Sequence, residues 1–165
     1  MKADPFGNLI DWGPVMQLIE ELTEAGRLDE CQPGLARILG FKGNWRLREE
    51  TLKRVQLLHN PSEQVIRQVI KIMGDNNTYF EMRILACASL GALLVRRMHP
   101  FSPPLQALLR KTLATQLAVP QPGSFQEALV TVEEKARLYL FGTDADQRRH
   151  VEFRSLDSVG NWSVT

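Results

Sequence analysis

Met82-Arg83-Ile84-Leu85-Ala86-Cys87-Ala88-Ser89-Leu90-Gly91-Ala92-Leu93 lies thirty-five residues after Leu47-Arg48-Glu49-Glu50-Thr51-Leu52-Lys53-Arg54-Val55-Gln56-Leu57-Leu58, and the two stretches follow one pattern. The offset pairs Arg48 with Arg83, Thr51 with Ala86, Val55 with Leu90 and Leu58 with Leu93. Each stretch is followed by a second amphipathic segment that opens on proline, Pro61 in one case and Pro103 in the other. Self-similarity at such a spacing marks a helix–turn–helix unit used more than once.

Outward from this pair, helix signals recur with their punctuation. Gly13-Pro14 opens a first helix, with Pro14 where its missing N–H costs nothing, and Val15, Leu18, Ile19 and Leu22 share a face before Gly26 stops it. A shorter stripe follows Pro33: Leu35, Ile38 and Leu39, ended by Gly40. Asn44 is placed to cap the third helix, and His59-Asn60-Pro61 to end it, with Asn60 as the next cap. The fourth is the cleanest amphipath: Val65, Ile66, Val69, Ile70 and Met73 on one side, Gln64, Arg67, Gln68 and Lys71 on the other. The fifth, Tyr79 to about Met98, is apolar nearly all round through Ile84–Val95 and therefore belongs inside. Ser102-Pro103 starts the sixth, with Leu105, Leu108, Leu109, Leu113 and Leu117 inward, and a seventh runs from Phe125 to Phe141.

Helices joined by such short connections pack as antiparallel neighbours, either stacked as a solenoid or gathered into a bundle. At this point the chain resembles the HEAT-like, or armadillo-type, α-solenoid family. The first helix of such a unit commonly reads apolar-Arg-x-x-Ala-x-x-x-Leu-Gly-x-Leu, and Met82 to Leu93 is similar to it, with Asn44-Trp45-Arg46-Leu47-Arg48-Glu49 opening the preceding copy. The resemblance covers residues 13–117 and is strongest over 44–98. Its period is shorter than the ~40–47 residues usual for HEAT units, and the first unit lacks the Arg, as an atypical terminal cap would. It implies an all-α fold, a short right-handed α-solenoid of antiparallel helix pairs over residues 1–141; a compact helical bundle is the alternative. Residues 142–165 lack helical period yet carry Val151, Phe153, Leu156, Val159, Trp162 and Val164. They are expected to form an irregular tail packed on the helices or extending from them.

Composition bounds the function classes. The 165 residues are 44% apolar and 24% charged, near the average for a soluble globular protein and enough for one domain. A net charge of +1 gives no global pull toward nucleic acid or anionic membrane. No secretory signal is visible near Met1, and the run Ile84–Val95 is well short of the ~20 residues that span a bilayer. A cytoplasmic location is the expectation, with Cys31 and Cys87 reduced, Cys87 buried and Cys31, after Asp29-Glu30, the more exposed.

Sites of chemistry are hard to assemble from these residues. No phosphate-cradling glycine loop appears, and His59, His99 and His150 stand far apart, so neither cofactor nor metal is expected. Cys87 and Ser89 lie in the most apolar helix, where a thiol is inert packing. Glu20-Glu21 and Glu133-Glu134 are adjacent carboxylates that diverge on a helix. No catalytic residue is assigned. Trp12 and Trp45 sit at helix starts, where packing on the previous turn is the simplest role.

Charge distribution carries the one functional signal. Residues 33–111 hold thirteen basic and five acidic side chains, while residues 1–32 hold two and seven and residues 112–165 five and seven. In solenoids of the family it resembles, the second helix of each unit lines the concave face. That places Arg67 and Lys71 on one inner helix, and Arg110 and Lys111 on the next. The expected function is a non-catalytic protein-binding or scaffold module that presents this basic surface to an acidic protein segment, without a membrane partner. The alternative is a HEAT-like nucleic-acid-binding protein or DNA glycosylase-like enzyme. An exposed apolar tail would instead make residues 153–162 the interface of a scaffold subunit.

Overall fold

In the computed structural model, residues 4–96 and 99–141 are described. The expected tail, residues 142–165, and the C-terminal end of the fifth helix at Met98 lie outside the described residues. The fold is all-α. Seven α-helices occur among the described residues: α1 (Trp12–Glu24), α2 (Gln32–Gly40), α3 (Trp45–Val55), α4 (Glu63–Gly74), α5 (Phe80–Arg96), α6 (Pro103–Leu117) and α7 (Gly123–Ala136). A 3-10 turn, Leu28–Cys31, precedes α2, and a π-turn, Arg137–Phe141, continues α7.

The ends follow local chemistry. Asn44 Oδ1 accepts the Leu47 amide at 3.0 Å, the expected cap of α3. The expected cap at Asn60 is corrected: α4 begins two residues later, where Ser62 Oγ accepts the Val65 amide at 3.3 Å. Pro61 precedes the helix, and Asn60 serves the neighbouring unit, its carbonyl accepting Gln32 Nε2 at 2.9 Å. Gly26, at φ +65°, makes the left-handed turn after α1 that a side chain would resist.

Packing sorts the helices into two layers. α1, α3, α5 and α7 neighbour one another in that order, and so do α2, α4 and α6. The layers join where α2 packs on α3, α4 on α5 and α6 on α7. Between them lies a continuous apolar core, with Leu52, Val55, Val69, Ile70, Ala86, Leu90, Leu93, Leu105 and Leu109 removed from solvent. Each leucine, isoleucine or valine among them contributes about 1.5–3 kcal/mol against exposure. The apolar run of α5 is not uniformly internal, however: Ala88 and Val95 reach the surface, because α5 sits in an outer layer of a two-layer molecule.

A segment without helical period closes the first end. Phe6 and Leu9 are buried, Asp4 pairs with Arg37 of α2, and Arg37 Nη2 donates to the Gly7 carbonyl at 2.9 Å. The Phe6 ring lies so close to Gly34 that a Cβ there would stand 2.5 Å from it. This strap lies against α2 at Gly34 and Arg37.

Candidate functional site

The even-numbered layer carries the basic residues. Gln64, Arg67, Gln68 and Lys71 recur at helical spacing on the side of α4 opposite its buried Val65, Val69 and Met73. Two contacts fix which flank of α4 meets α6: Glu63 with Ser102, and Gly74 with Thr112, whose methyl would lie 2.7 Å from a Cβ on the glycine. Gln68 lies against Gly40 of α2 on the other flank. Arg67, half-buried, and Lys71, exposed, therefore point outward from the layer.

On α6 the four expected residues divide. Thr112 faces α4, and Leu105, Leu109 and Leu113 face the core. At about 100° of rotation per residue, Lys111 points outward on the same face as Arg67 and Lys71. Arg110 lies about 200° from Thr112 and so on the opposite flank of α6. There it lines a cleft with Leu113, Ala114, Glu133 and Arg137. The structure thus brings Arg67, Lys71 and Lys111 to one face and puts Arg110 round its edge.

The charge on this face is largely uncompensated. Helices α2, α4 and α6 hold five basic residues and one acidic residue, Glu63; of the five, Arg37 is paired with Asp4 and Arg110 lies on the far flank, which leaves Arg67, Lys71 and Lys111. Glu63 is engaged as a brace: its Oε1 accepts the Ser102 amide and its Oε2 the Ser102 hydroxyl, both at 2.6 Å, tying the start of α4 to that of α6. Asp75 is held by Lys42 at 3.1 Å, and its bond from the Asn77 amide and that lysine keep its carboxyl below the ordinary range. Among the described residues, no ion pair takes Arg67, Lys71 or Lys111.

Two further arginines, Arg48 and Arg83, are buried where sequence reading saw only a repeat. Arg48 Nε donates to the Leu39 carbonyl at the end of α2, and Arg83 Nε to the Met73 carbonyl at the end of α4, each at 3.0 Å. Burial pushes both guanidinium groups below their ordinary value. The signal that finds them is their equivalence in the repeat: two arginines at one register among apolar neighbours need a shared internal acceptor.

Cys31 is not the exposed cysteine: it is 6% accessible, and both cysteines are free thiols. Burial pushes the Cys87 thiol up to about 12, which keeps it protonated and unreactive. His59 Nδ1 lies 2.9 Å from Asp29, which also accepts the amides of His59 and Asn60. Trp45 does not pack back on the previous turn; it is 55% exposed and meets Tyr79 edge-on at 6.2 Å. Among the described residues, no cluster of His, Cys, Asp or Glu is arranged to hold a metal, and no helix is long and apolar enough to cross a membrane. In comparisons with known proteins, the chain matches no protein-family model, no curated protein and no solved structure.

Proposed function

We propose that this all-helical chain is a short α-solenoid of HEAT-like type that works as a binding module, receiving an acidic protein segment on the outward face of α2, α4 and α6. The neighbour order, odd helices on odd and even on even, supports the solenoid reading. One observation carries the binding reading: α4 and α6 turn Arg67, Lys71 and Lys111 to one face with no ion pair among the described residues, and Glu63, the one carboxylate of α2, α4 and α6, is committed to Ser102. Like charges on one face repel, and a ligand of opposite sign relieves that repulsion while steering encounter.

Amide NMR titration at low salt tests it, with a polyglutamate peptide in one arm and duplex DNA in the other. The expected result is peptide-induced shifts at Arg67, Lys71 and Lys111 that fade as salt is raised. Shifts confined to α1 or α7, or none, would refute the reading. Shifts with DNA alone would move the function to the nucleic-acid alternative.

A further inference from the structure

A cleft of about 190 Å³ opens on the even layer where α2 and α4 end, and Gly40, Lys42, Arg48, Gln68, Lys71 and Asp75 line it. Arg48 forms its floor. The residue is only 7% accessible, and its Nε is committed to the Leu39 carbonyl. Its two terminal nitrogens take no hydrogen bond among the described residues, yet no buried side-chain nitrogen or oxygen there lacks a partner. Those two nitrogens therefore keep some access to solvent, on a residue that lines the cleft.

Arg83 shows what the same position looks like when it is sealed. Its Nη2 donates to Gln116 Oε1 at 2.6 Å and to Asn76 Oδ1 at 3.2 Å. Its guanidinium carbon lies 4.3 Å from the centre of the Phe125 ring and 5.3 Å from that of Phe80. That arginine is wholly used by the fold. Arg48 makes the same bond to its preceding helix and receives no such cover.

The charge left over in the cleft is positive. Lys42 and Asp75 neutralise each other at 3.1 Å. The C-termini of α2 and α4 each contribute roughly half a negative charge, against the full charges of Arg48 and Lys71, which leaves about one positive charge. The volume is below the ~300–1,000 Å³ of a small-molecule pocket. It suits one oxyanion group borne on something larger. The lining brings together three kinds of donor: the Arg48 fork, the Lys71 ammonium of α4 and the amide of Gln68, which lies against Gly40. A tetrahedral group with three acceptor oxygens answers such a set better than a planar carboxylate with two.

We propose that this cleft is an oxyanion subsite that takes a phosphoryl group carried on a serine or threonine of the acidic segment. The proposal deepens the binding reading above and rests on it for the identity of the carrier. Arg48 gives the bidentate contact, Gln68 a neutral donor and Lys71 a point charge at the rim.

The test is a calorimetric comparison of a polyglutamate peptide containing one phosphoserine with the same peptide containing serine, alongside an amide NMR titration with inorganic phosphate. The phosphopeptide is expected to bind about tenfold tighter than its serine counterpart. Inorganic phosphate is expected to shift the amides of Gly40, Lys42 and Lys71. Arg48→Lys, which loses the fork, and Gln68→Leu, which spares the α2 cap should the first variant unfold, are each expected to shrink the phosphoserine preference. A preference near one in the wild type, or one unchanged in Gln68→Leu and in folded Arg48→Lys, overturns the subsite. Equal binding of both peptides sinks the subsite alone and leaves the acidic-segment reading standing. Phosphate shifts in the cleft without any binding of the serine peptide uphold the subsite and sink the broader reading.

Discussion

Arg48 and Arg83, thirty-five residues apart, each donate Nε to the carbonyl of the penultimate residue of the preceding even helix, Leu39 and Met73, at the same 3.0 Å. An α-helix ends with carbonyls that have no intrahelical donor, and a buried end needs them satisfied from elsewhere. Arg48 of α3 supplies that donor to α2, and Arg83 of α5 supplies it to α4. The repeat is thus a chemical unit as well as a pattern of apolar residues.

The two arginines differ in how much the fold depends on them. Arg83→Ala strands the Met73 carbonyl and removes the charged partner of Gln116 and Asn76, and is expected to lower unfolding free energy by about 3 kcal/mol or more. Arg48→Ala strands one carbonyl beside an open cleft, and about 1–2 kcal/mol is expected. Urea unfolding of the two variants checks the order. Equal losses would mean that the cover over Arg83 contributes nothing.

The strap gives a second expectation. A methyl on Gly34 has no room unless Phe6 and Asp4 move, since they would lie 2.5 Å and 2.7 Å from it. Gly34→Ala is therefore expected to release residues 4–9 and to destabilise by about 1–3 kcal/mol, seen as faster amide exchange at Phe6 with α4 and α5 unchanged. Acid is expected to act at the same place. The Arg37 bond holds the Asp4 carboxyl below its ordinary 3.8, so the strap's contribution is present above that value and is lost as pH falls through the lower folded one. A protection of the Phe6 amide, relative to an unstructured amide at the same pH, that stays constant as the pH is lowered would contradict this.

Most of the helical framework is legible in the residues, and the places where it is not have physical reasons. Ala86, Leu90 and Leu93 are fully buried, because helical periodicity records which side of α5 faces a neighbour. Cys31 misleads because its sequence neighbours, Asp29 and Glu30, are polar. In a 3-10 turn residues three apart eclipse, so Cys31 stands over buried Leu28 rather than beside the acids. Phe6 and Leu9 carry no period at all, so nothing local reveals that they are core. The candidate surface was legible as an excess of charge and illegible in its phase: adjacent Arg110 and Lys111 read as one patch until Thr112 fixes the rotation of α6.

Cys87 provides a pH dependence with a definite sign. Burial pushes its thiol up from an ordinary 9.0 to about 12. A group whose folded value is raised stabilises fully below the unfolded value and loses that contribution as pH rises toward the folded one. Unfolding free energy is therefore expected to fall above pH 9 with a slope approaching about 1.4 kcal/mol per pH unit from this group. Cys87→Ala should flatten that slope relative to the wild type. In thiol titration, both cysteines should react slowly before denaturation and quickly after it, with no reductant required. A fast native cysteine would place Cys31 at the surface after all.

Charge reversal on α6 separates the outward face from its flank. Lys111 shares the face of Arg67 and Lys71 and takes part in no ion pair among the described residues, whereas Arg110 lines a cleft with Glu133 of α7 and Arg137 of the π-turn that continues it. An acidic segment lying across α4 and α6 meets Lys111 directly and Arg110 only round the edge of the helix. Lys111→Glu is therefore expected to weaken polyglutamate binding by about tenfold at low salt, through loss of one attraction and gain of one repulsion near a water-exposed face. Arg110→Glu is expected to weaken it about threefold or less, since its charge is farther away and screened. Both side chains are exposed on the same helix, so far-ultraviolet dichroism and melting temperature should barely change in either variant. Equal weakening would mean that the segment wraps over the α6–α7 flank, and a larger effect at Arg110 would move the binding surface there altogether.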